Sequence, residues 1–340
     1  MYRALIRPLL FLLSPETVHG LVKGLLKIFF FIPGIPFIIK YLYSTDKPEP
    51  YNIFGLNFPN RVGLAAGFDK NAEFYKELAV FGFGFVEIGT VTPKPQPGNP
   101  IPRSFRLPKD KALVNRMGFN NLGVGEAVKR LKNRDSNFII GGNIGKNTLT
   151  PNSEAVNDYE ICFNALYDYV DYFVVNVSCP NISDLRELQD QDMLLGILGR
   201  LMEIRALKTQ KKPVLLKISP DLNFKQIDET LEIVKSIKID GIVASNTTIS
   251  RENLLTSKEF VDKIGKGGLS GLPIRDRSTE IIKYIREKAG KDLLIIGVGG
   301  IMSVDDANEK IAAGADLIQI YTGFIYEGPG FVKKLVKKVG

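Results

Sequence analysis

The chain has 340 residues, 44% of them hydrophobic, so it is globular and long enough for one large α/β barrel or two ordinary domains. Its two cysteines, Cys162 and Cys179, form neither a CxxC motif nor a cysteine–histidine cluster, which argues against disulfide, zinc and iron–sulfur sites and favours a reducing compartment. The formal net charge is +8, and much of the excess lies in residues 1–43 and in the tail FVKKLVKK, so an anionic surface is the expected partner.

The first fifty residues are apolar and basic and form the first predicted domain, residues 1–50. A helical run breaks at Ser14-Pro15-Glu16, a second run reaches about Phe31, and a Pro-Gly-Ile-Pro break precedes the last apolar segment. A secretory signal fits poorly because LLFLL is short and is followed by charge. A membrane span fits poorly because the longest uncharged run contains two prolines and a glycine. The sequence predicts a helical hairpin that docks on the protein's own body or lies in the membrane interface, which its basic and apolar faces favour.

Short apolar strands alternate with amphipathic helical stretches over residues 51–340, the second predicted domain. About eight such units without a change in composition predict one (β/α)₈ TIM barrel, an α/β fold, with a doubly wound sheet as the alternative. The predicted strands are residues 61–67, 84–90, 138–145, 172–178, 213–219, 241–246, 293–300 and 317–323. The clearest helical stretches are residues 155–170, 223–238 and 303–314.

Polar or glycine-rich clusters follow nearly every predicted strand, from AAGFDKN after the first to YTG at the last. Each cluster alone is typical of a turn. In a TIM barrel, however, all of them meet at the C-terminal face, where the active site is built. The pattern therefore predicts a lined pocket at that face.

Glycines near the end of the chain indicate an anion site in this pocket. Gly-Val-Gly-Gly at residues 297–300 precedes a predicted helix start at Ser303, and the last strand ends at Tyr321 and Thr322. Backbone N–H groups of a glycine loop and of a helix N-terminus bind phosphate, and the last two strands are its usual place in this fold. A tight turn would also explain the glycines.

Two lysines lie among the predicted strand ends. Lys70 and Lys217 would point ammonium groups into the pocket, whereas a solvated position at the rim is the alternative. Lys217 follows three apolar residues, which favours burial. A buried cation beside a flavin ring would stabilise the anionic reduced form.

Motifs spread over roughly residues 60–325 carry a close resemblance to one enzyme family. They read LAAGFDKN, EIGTVTPKPQPGNP, NRMGFNN, GNIGKN, NVSCPN, SNTT, GGLSG, IIGVGGI and QIYTGFI. In this order they resemble dihydroorotate dehydrogenase, the FMN enzyme of pyrimidine (UMP) synthesis. The N-terminal hairpin and two of the motifs are similar to class 2 enzymes, which are membrane-associated and pass electrons from FMN to a quinone. The resemblance therefore implies oxidation of dihydroorotate to orotate with a quinone as acceptor.

The resemblance also assigns site residues. It places FMN against Ala66, Gly67, Thr90, Asn143, Asn176, Lys217, Ser245, Gly271, Gly300, Tyr321 and Thr322. It places dihydroorotate against Lys70, Asn115, Arg116, Met117, Gly118, Phe119, Asn176, Asn181, Asn246 and Thr247. Amides that donate and accept suit the substrate's cyclic ureide, and a lysine suits its carboxylate.

Cys179 occupies the position of the general base that takes the proton from C5 of the substrate. Class 2 enzymes typically carry serine there, whereas soluble class 1 enzymes carry cysteine in a similar motif. The barrel loop thus resembles class 1 while the N-terminus resembles class 2. By default a lone cysteine is a small buried filler.

Two further residues are assigned to a quinone tunnel. The family places a histidine in the hairpin beside an arginine, which match His19 and Arg103. A lone histidine on an apolar helix is more often structural. Cys162 lies on a helix face and is expected in the core.

The expected partners are dihydroorotate, a membrane quinone and the membrane surface. The expected location is peripheral, on the cytoplasmic face of the cell membrane if the protein is bacterial. No nucleic acid, metal or iron–sulfur partner subunit is expected. The alternatives are the same reaction with fumarate or NAD as acceptor, a flavin-dependent RNA uridine reductase, and a non-catalytic membrane adaptor. Basic residues concentrated near the termini argue against an RNA groove along the barrel mouth.

Overall fold

The computed structural model describes residues 2–43, 45, 50–134, 138–177 and 191–339, and its centre is a closed barrel of parallel strands. The strands in chain order are β1 (Tyr51–Ile53), β2 (Leu56–Phe58), β3 (Val62–Leu64), β4 (Phe85–Val91), β5 (Ser104–Leu107), β6 (Ala112–Asn115), β7 (Ile139–Ile144), β8 (Tyr172–Asn176), β9 (Val214–Ile218), β10 (Gly241–Ala244), β11 (Gly268–Gly271), β12 (Leu294–Val298) and β13 (Leu317–Ile320). The helices are α1 (Arg7–Phe11), α2 (Pro15–Phe31), α3 (Ile35–Tyr43), α4 (Tyr75–Ala79), α5 (Val124–Leu131), α6 (Ala155–Leu166), α7 (Gln191–Leu207), α8 (Phe224–Ile237), α9 (Lys258–Ile264), α10 (Arg275–Ala289), α11 (Val304–Ala312), α12 (Thr322–Glu327) and α13 (Gly330–Lys338), with a π-helical turn at Tyr2–Ile6 before them.

The barrel contains β3, β4, β7, β8, β9, β10, β12 and β13 in that order. Each strand pairs in parallel with the next, and β13 closes the ring on β3 with Gln319 opposite Gly63. Every strand predicted from the sequence overlaps one of these barrel strands. The predicted TIM barrel is therefore confirmed, and the doubly wound alternative is wrong. The remaining strands form a β1–β2 hairpin and an antiparallel sheet of β5, β6 and β11.

Side chains fill the N-terminal end of the barrel interior. Phe85 of β4 and Tyr172 of β8 lie inside, and Phe58 of the β1–β2 hairpin packs edge-on to Phe85 with ring centroids 5.2 Å apart. Gly63 is required at this depth because a Cβ there would lie 2.3 Å from the Phe85 ring. The C-terminal end of the barrel is therefore the end where the strands can present functional groups.

The outer helices cover the strands with apolar faces. The three helical stretches predicted most clearly contain α6, α8 and α11. Asn223 and Gln226 form a capping box at the start of α8, and Ser303 caps α11 by accepting the N–H of Asp306. Cys162 of α6 is fully buried, as predicted, and burial raises the pKa of its thiol well above the usual range.

The N-terminal helices α1, α2 and α3 dock on the barrel through polar contacts. The breaks between them lie where the sequence predicts them. The Tyr2 hydroxyl donates to the carbonyl of Ile325 over 2.7 Å, and Lys23 of α2 forms a 2.6 Å ion pair with Glu73. These contacts fix the segment to the protein's own body, which is one of the two predicted arrangements.

The same helices leave a large apolar face uncovered. Phe31 at the end of α2 is 91% exposed and Phe37 of α3 is 75% exposed. No single helix of the described chain is long and apolar enough to cross a membrane. Residues Tyr2–Phe11 and Pro15–Phe31 meet that criterion only when taken together, and they are bent by 120°.

Candidate active site

Polar side chains from neighbouring strands form a chain of hydrogen bonds inside the C-terminal end of the barrel. The Thr90 hydroxyl of β4 donates to Oδ1 of Asn143 on β7 over 2.6 Å, and Nδ2 of Asn176 on β8 donates to Thr90 over 2.9 Å. Nδ2 of Asn246 donates to Oδ1 of Asn176 over 3.2 Å. Four residues predicted for the site therefore meet in one network.

The following strands add further predicted residues beside this network. Lys217 of β9 lies opposite Asn176 in the β8–β9 register and is buried. Ser245 follows β10, and its N–H donates to the carbonyl of Val298 over 2.8 Å. The Thr247 N–H donates to the side-chain oxygen of Asn246 over 2.9 Å. The buried cation that the sequence predicts thus lies at the strand end, next to the amide network.

Ala66, Gly67 and Tyr321 lie where the first and last strands of the barrel meet. The N–H of Gly67 donates to the carbonyl of Gly89 over 2.7 Å. A Cβ at Gly67, whose φ is +98°, would lie 3.5 Å from the Tyr321 ring. Burial raises the pKa of Tyr321 to about 12, so its hydroxyl stays protonated at neutral pH.

Three backbone segments converge at the predicted anion site. A Cβ at Gly271, which ends β11 with φ +103°, would lie 3.0 Å from the Thr322 side chain. A Cβ at Gly323 would lie 2.1 Å from the carbonyl of Ile301, next to Gly300. Glycine at these positions therefore brings the ends of β11, β12 and β13 together, because no side chain separates them.

The N-terminus of α11 is filled by its own side chains. Ser303 caps this helix, and the Asp306 carboxylate accepts the N–H of Met302 over 2.9 Å and lies 3.4 Å from Arg275. The helix start at Ser303 is predicted correctly. Because a carboxylate already occupies this end of α11, the glycine backbone around Gly300 is better suited to bind an anion.

Residues 115–119 form a loop whose carbonyls are held by a neighbouring segment. Nε2 of Gln96 donates to the carbonyl of Gly118 over 3.1 Å, and the N–H of Asn99 donates to that of Met117 over 3.1 Å. The side chains of Phe119 and Thr90 both border Gly145, where a Cβ would touch each of them, so Phe119 lies near Thr90. The loop therefore reaches the amide network. Asn115 ends β6, and its Nδ2 donates to the carbonyl of Gly268 over 3.4 Å.

Arg116 has its side chain engaged away from this network. Its guanidinium donates to the carbonyls of Ile264 and Pro102 and lies 4.9 Å from the centroid of the Phe105 ring. These contacts connect the loop to α9 and β5. The predicted role of Arg116 in binding the substrate stays a prediction.

Lys70 lies between the barrel mouth and the N-terminal helices. Its ammonium donates to the side-chain oxygen of Asn120. The preceding carboxylate of Asp69 accepts the N–H groups of Glu73 and Phe74 over 2.7 and 2.9 Å. Burial raises the pKa of Asp69 to about 6. Asp69 therefore fixes the loop from which Lys70 extends.

His19 and Arg103, predicted for a quinone tunnel, both contribute to the contact between α2 and the barrel. The His19 ring packs edge-on to Phe68, and burial, together with the charges of Lys70 and Lys23, lowers its pKa to about 4. Arg103 forms a 2.9 Å ion pair with Glu16 of α2. Arg103 also donates to two backbone carbonyls, at residues 97 and 99.

Several residues of this region are absent from the sequence-based prediction. Glu87, Gln319 and Tyr172 lie inside the barrel, and Gln96 and Asn99 hold the loop at residues 115–119. A polar residue in the middle of an apolar strand, as in FVEIG and LIQIY, is the signal that would have found the first two. Cys179 and Asn181 lie outside the described residues.

Comparison with known proteins identifies the family. The family model for dihydroorotate dehydrogenase matches residues 50–340. The chain belongs to the dihydroorotate dehydrogenase family. This confirms the resemblance seen in the motifs. The match begins beside the predicted domain boundary, which stays a prediction.

Individual relatives extend the similarity over the whole chain. The chain is 53% identical to dihydroorotate dehydrogenase (quinone) of Christiangramia forsetii over 340 residues, which cover 100% of this chain and 98% of the relative. It is 46% identical to the enzyme of the same name from Coxiella burnetii over 341 residues, or 99% of this chain and 96% of the relative. The crystal structure of the Eimeria tenella enzyme in complex with ferulenol superposes with a TM-score of 0.85 at 34% identity, covering 96% of this chain and 90% of that chain.

Proposed function

We propose that this chain is a dihydroorotate dehydrogenase that oxidises dihydroorotate to orotate in pyrimidine synthesis and passes the electrons to a membrane quinone. Full-length relatives named for the quinone-dependent reaction support this acceptor over fumarate or NAD. The observation that carries the reaction is the network of Thr90, Asn143, Asn176 and Asn246 at the ends of neighbouring strands. It supplies amide donors and acceptors of the kind that flavin and the substrate's ureide would bind.

FMN is the proposed flavin. When bound, it would supply the acceptor for the hydride from C6 of dihydroorotate. The converging glycine backbone at Gly271 and Gly300 suits a phosphate, because N–H groups can approach it without a Cβ in the way. Buried Lys217 suits the ring, where negative charge develops on reduction. The full set of residues proposed for FMN is the one predicted from the sequence, from Ala66 to Thr322.

Dihydroorotate is proposed to bind between the amide network and the loop at residues 115–119. Lys70 would pair with its carboxylate, and Asn246 and Thr247 would hydrogen-bond its ring. The loop's carbonyls are fixed by Gln96 and Asn99, so it is preorganised before the substrate arrives. Asn181 and Cys179 stay predictions, as ring ligand and as general base, because they lie outside the described residues.

The N-terminal helices are proposed to bind the membrane and admit the quinone. Their uncovered apolar face suits the acyl region of a bilayer, and exposed Lys40 beside it suits anionic headgroups. The basic helix α13 lies next to α3, with Lys333 donating to the Leu42 carbonyl over 2.6 Å. His19 and Arg103 lie where these helices meet the barrel, so we place the quinone there. The proposed location is peripheral, on the cytoplasmic face of the cell membrane if the protein is bacterial.

The test is anaerobic mixing of the yellow protein with dihydroorotate, followed by separate addition of a ubiquinone analogue, fumarate or NAD. We expect the flavin colour to bleach and then to return fastest with the quinone. A protein that does not bleach is not a dihydroorotate dehydrogenase. Bleaching followed by fastest recovery with fumarate or NAD would assign the soluble acceptor instead.

A further inference from the structure

Glu87 places a carboxylate in the interior of the barrel, beneath the proposed site. Its side chain is fully buried, and it accepts two hydrogen bonds of 2.7 Å. Nδ2 of Asn143 donates to one carboxylate oxygen and Nε2 of Gln319 donates to the other. Neither Glu87 nor Gln319 is among the residues proposed to bind flavin or substrate, so the role of this carboxylate needs its own explanation.

The carboxylate fixes the orientation of the Asn143 amide. An ionised carboxylate only accepts hydrogen bonds, so Asn143 must present its NH₂ group to Glu87. The oxygen of Asn143 then faces Thr90 and accepts from its hydroxyl over 2.6 Å. Because the hydroxyl proton is used there, Thr90 offers a lone pair to its other neighbour.

The same constraint passes on to the next amides. Thr90 accepts from Nδ2 of Asn176 over 2.9 Å, which leaves Oδ1 of Asn176 to accept from Nδ2 of Asn246 over 3.2 Å. Each group's donor or acceptor role follows from the one before it. An amide alone has no such preference, since its oxygen and nitrogen ends have nearly the same shape.

We propose that Glu87 is a positioning residue that sets the donor and acceptor pattern which Asn143, Thr90 and Asn176 present to flavin and substrate. The inference rests on the proposed function for the identity of the ligands. Glu87 acts through Asn143 and touches neither ligand. A buried carboxylate held by two neutral donors is costly to keep, whereas an apolar side chain would fill the barrel more cheaply. Its presence is explained if the network needs, at this position, a group that accepts hydrogen bonds and cannot donate them.

Gln319 holds the far side of the carboxylate through its NH₂ group. Among the described residues, neither Oε1 of Gln319 nor the hydroxyl of Tyr172 has a hydrogen-bond partner. Burial raises the pKa of Tyr172 well above its usual range, and the Glu87 charge adds to the rise. Exchanging the side chains at positions 87 and 319 would keep both hydrogen bonds of residue 87 possible. The amide oxygen of a glutamine at position 87 would accept from Asn143. The NH₂ group of the same glutamine would donate to the carboxylate of a glutamate at position 319.

The test compares Glu87→Gln with the exchange variant Glu87→Gln/Gln319→Glu. The first readout is the dissociation constant of FMN from the apoprotein, measured by flavin fluorescence, and the second is KM for dihydroorotate. For Glu87→Gln we expect both constants to rise by about tenfold or more, because the amide at 87 no longer forces one orientation on Asn143. The exchange variant should recover most of the loss. Ile296→Ala, an apolar change in the same interior, should lower thermal stability without changing either constant.

Wild-type FMN affinity in Glu87→Gln would overturn the proposal, as would an exchange variant that binds FMN no better than the single variant. If Glu87→Gln does not fold, the constants of the exchange variant are compared directly with those of the wild-type protein. Near wild-type constants support the proposal, and a loss of tenfold or more overturns it. The FMN constant is independent of turnover. A wild-type protein that does not bleach with dihydroorotate would remove the proposed function while leaving this measurement valid.

Discussion

The imidazole of His19 lies edge-on to the ring of Phe68, with centroids 5.2 Å apart and planes at 78°. His19 belongs to α2 of the N-terminal segment, and Phe68 follows strand β3 of the barrel. Phe68 in turn lies 5.6 Å from the Tyr321 ring, a residue proposed to contact FMN. Two aromatic contacts therefore connect the N-terminal helices to the proposed flavin site. This is the path on which we place the quinone.

We expect His19 to make stability depend on pH. Burial lowers its pKa in the folded protein from 6.5 to about 4. Between these values the unfolded chain binds a proton that the folded chain does not, so the free energy of unfolding falls as pH decreases from 6.5 to 4. The full contribution is about 3 kcal/mol and is present above pH 6.5. His19→Gln, which cannot be protonated in this range, should flatten the decrease.

Urea denaturation of both proteins at pH 4.5, 5.5 and 7 measures this difference. Asp69, whose pKa is raised to about 6, titrates in the same range and changes stability in the opposite direction. It is present in both proteins, so subtracting one curve from the other isolates His19. Parallel curves would show that the imidazole is solvated.

The exposed apolar face of the N-terminal helices predicts binding to lipid vesicles. Phe37 is 75% exposed, and moving a phenylalanine side chain from water into the bilayer is worth about 1.5–3 kcal/mol. Phe37→Asp should therefore weaken binding to anionic vesicles by about tenfold or more. Reduction of the flavin by dihydroorotate should not change.

Leu207 at the end of α7 provides the matched control, since it is 88% exposed but lies outside the N-terminal segment. Leu207→Asp should bind vesicles as wild type does. Co-sedimentation with vesicles of phosphatidylcholine, with and without phosphatidylglycerol, measures both variants. Equal loss for the two variants would mean that the apolar face has no special part in binding.

The barrel and the helix breaks were predictable from the sequence, and the contact between Glu87 and Gln319 was not. Short β-branched runs with polar ends identify parallel strands because their period and their turn residues are local signals. The pairing of Glu87 with Gln319 depends on which strands become neighbours when the barrel closes, and these residues lie 232 positions apart. Sequence patterns carry little information about such a contact.

Arg116 and Ser303 show a second limit. Arg116 was predicted near the substrate because its motif matches, whereas Ser303 was predicted as a helix start, which is correct. The Arg116 guanidinium nevertheless contacts the carbonyls of Ile264 and Pro102, whose proximity depends on how α9 packs. The motif predicts which loop carries Arg116, but it does not determine where a long side chain points.

The ion pair between Glu16 and Arg103 predicts a specific effect on quinone turnover. It joins α2 to the barrel over 2.9 Å, and both side chains are largely buried. Glu16→Gln should slow reoxidation of the flavin by a long-tailed quinone several-fold, because Arg103 keeps its two carbonyl contacts but loses the carboxylate that balances its charge. Reduction by dihydroorotate should stay at the wild-type rate.

Lys23→Gln is the control for this variant. It breaks the 2.6 Å pair with Glu73, which also joins α2 to the barrel, without touching Arg103. Stopped-flow measurement of both half-reactions distinguishes the two variants. If Lys23→Gln slows the quinone step as much as Glu16→Gln does, docking of α2 rather than Arg103 controls the step.

Lys217 is expected to raise the reduction potential of the flavin. Its ammonium is buried at the end of β9, where it would stabilise negative charge on the reduced ring. Lys217→Met should lower the two-electron potential by at least about 30 mV, which corresponds to about 1.4 kcal/mol. Lys212, which is buried and lies two residues before β9, donates to the carbonyls of Tyr167 and Val170 and serves as control. Lys212→Met should reduce stability and leave the potential unchanged. Equal potentials in all three proteins would leave Lys217 with a structural role.

Cys179 is the last test, because the proposed reaction needs a base for C5 and this residue lies outside the described part of the chain. It follows Asn176, which ends β8 in the amide network. A thiol has a reference pKa of about 8.5, so some thiolate is present near neutral pH, whereas a serine hydroxyl needs a partner to accept its proton.

Cys179→Ala should slow flavin reduction by dihydroorotate by a factor on the order of 10²–10⁴ while FMN stays bound. Cys179→Ser should keep part of the activity, with its pH–rate profile moved to higher pH. Anaerobic stopped-flow reduction over a pH series measures all three proteins, and an alanine variant as fast as wild type at every pH would make Cys179 a packing residue.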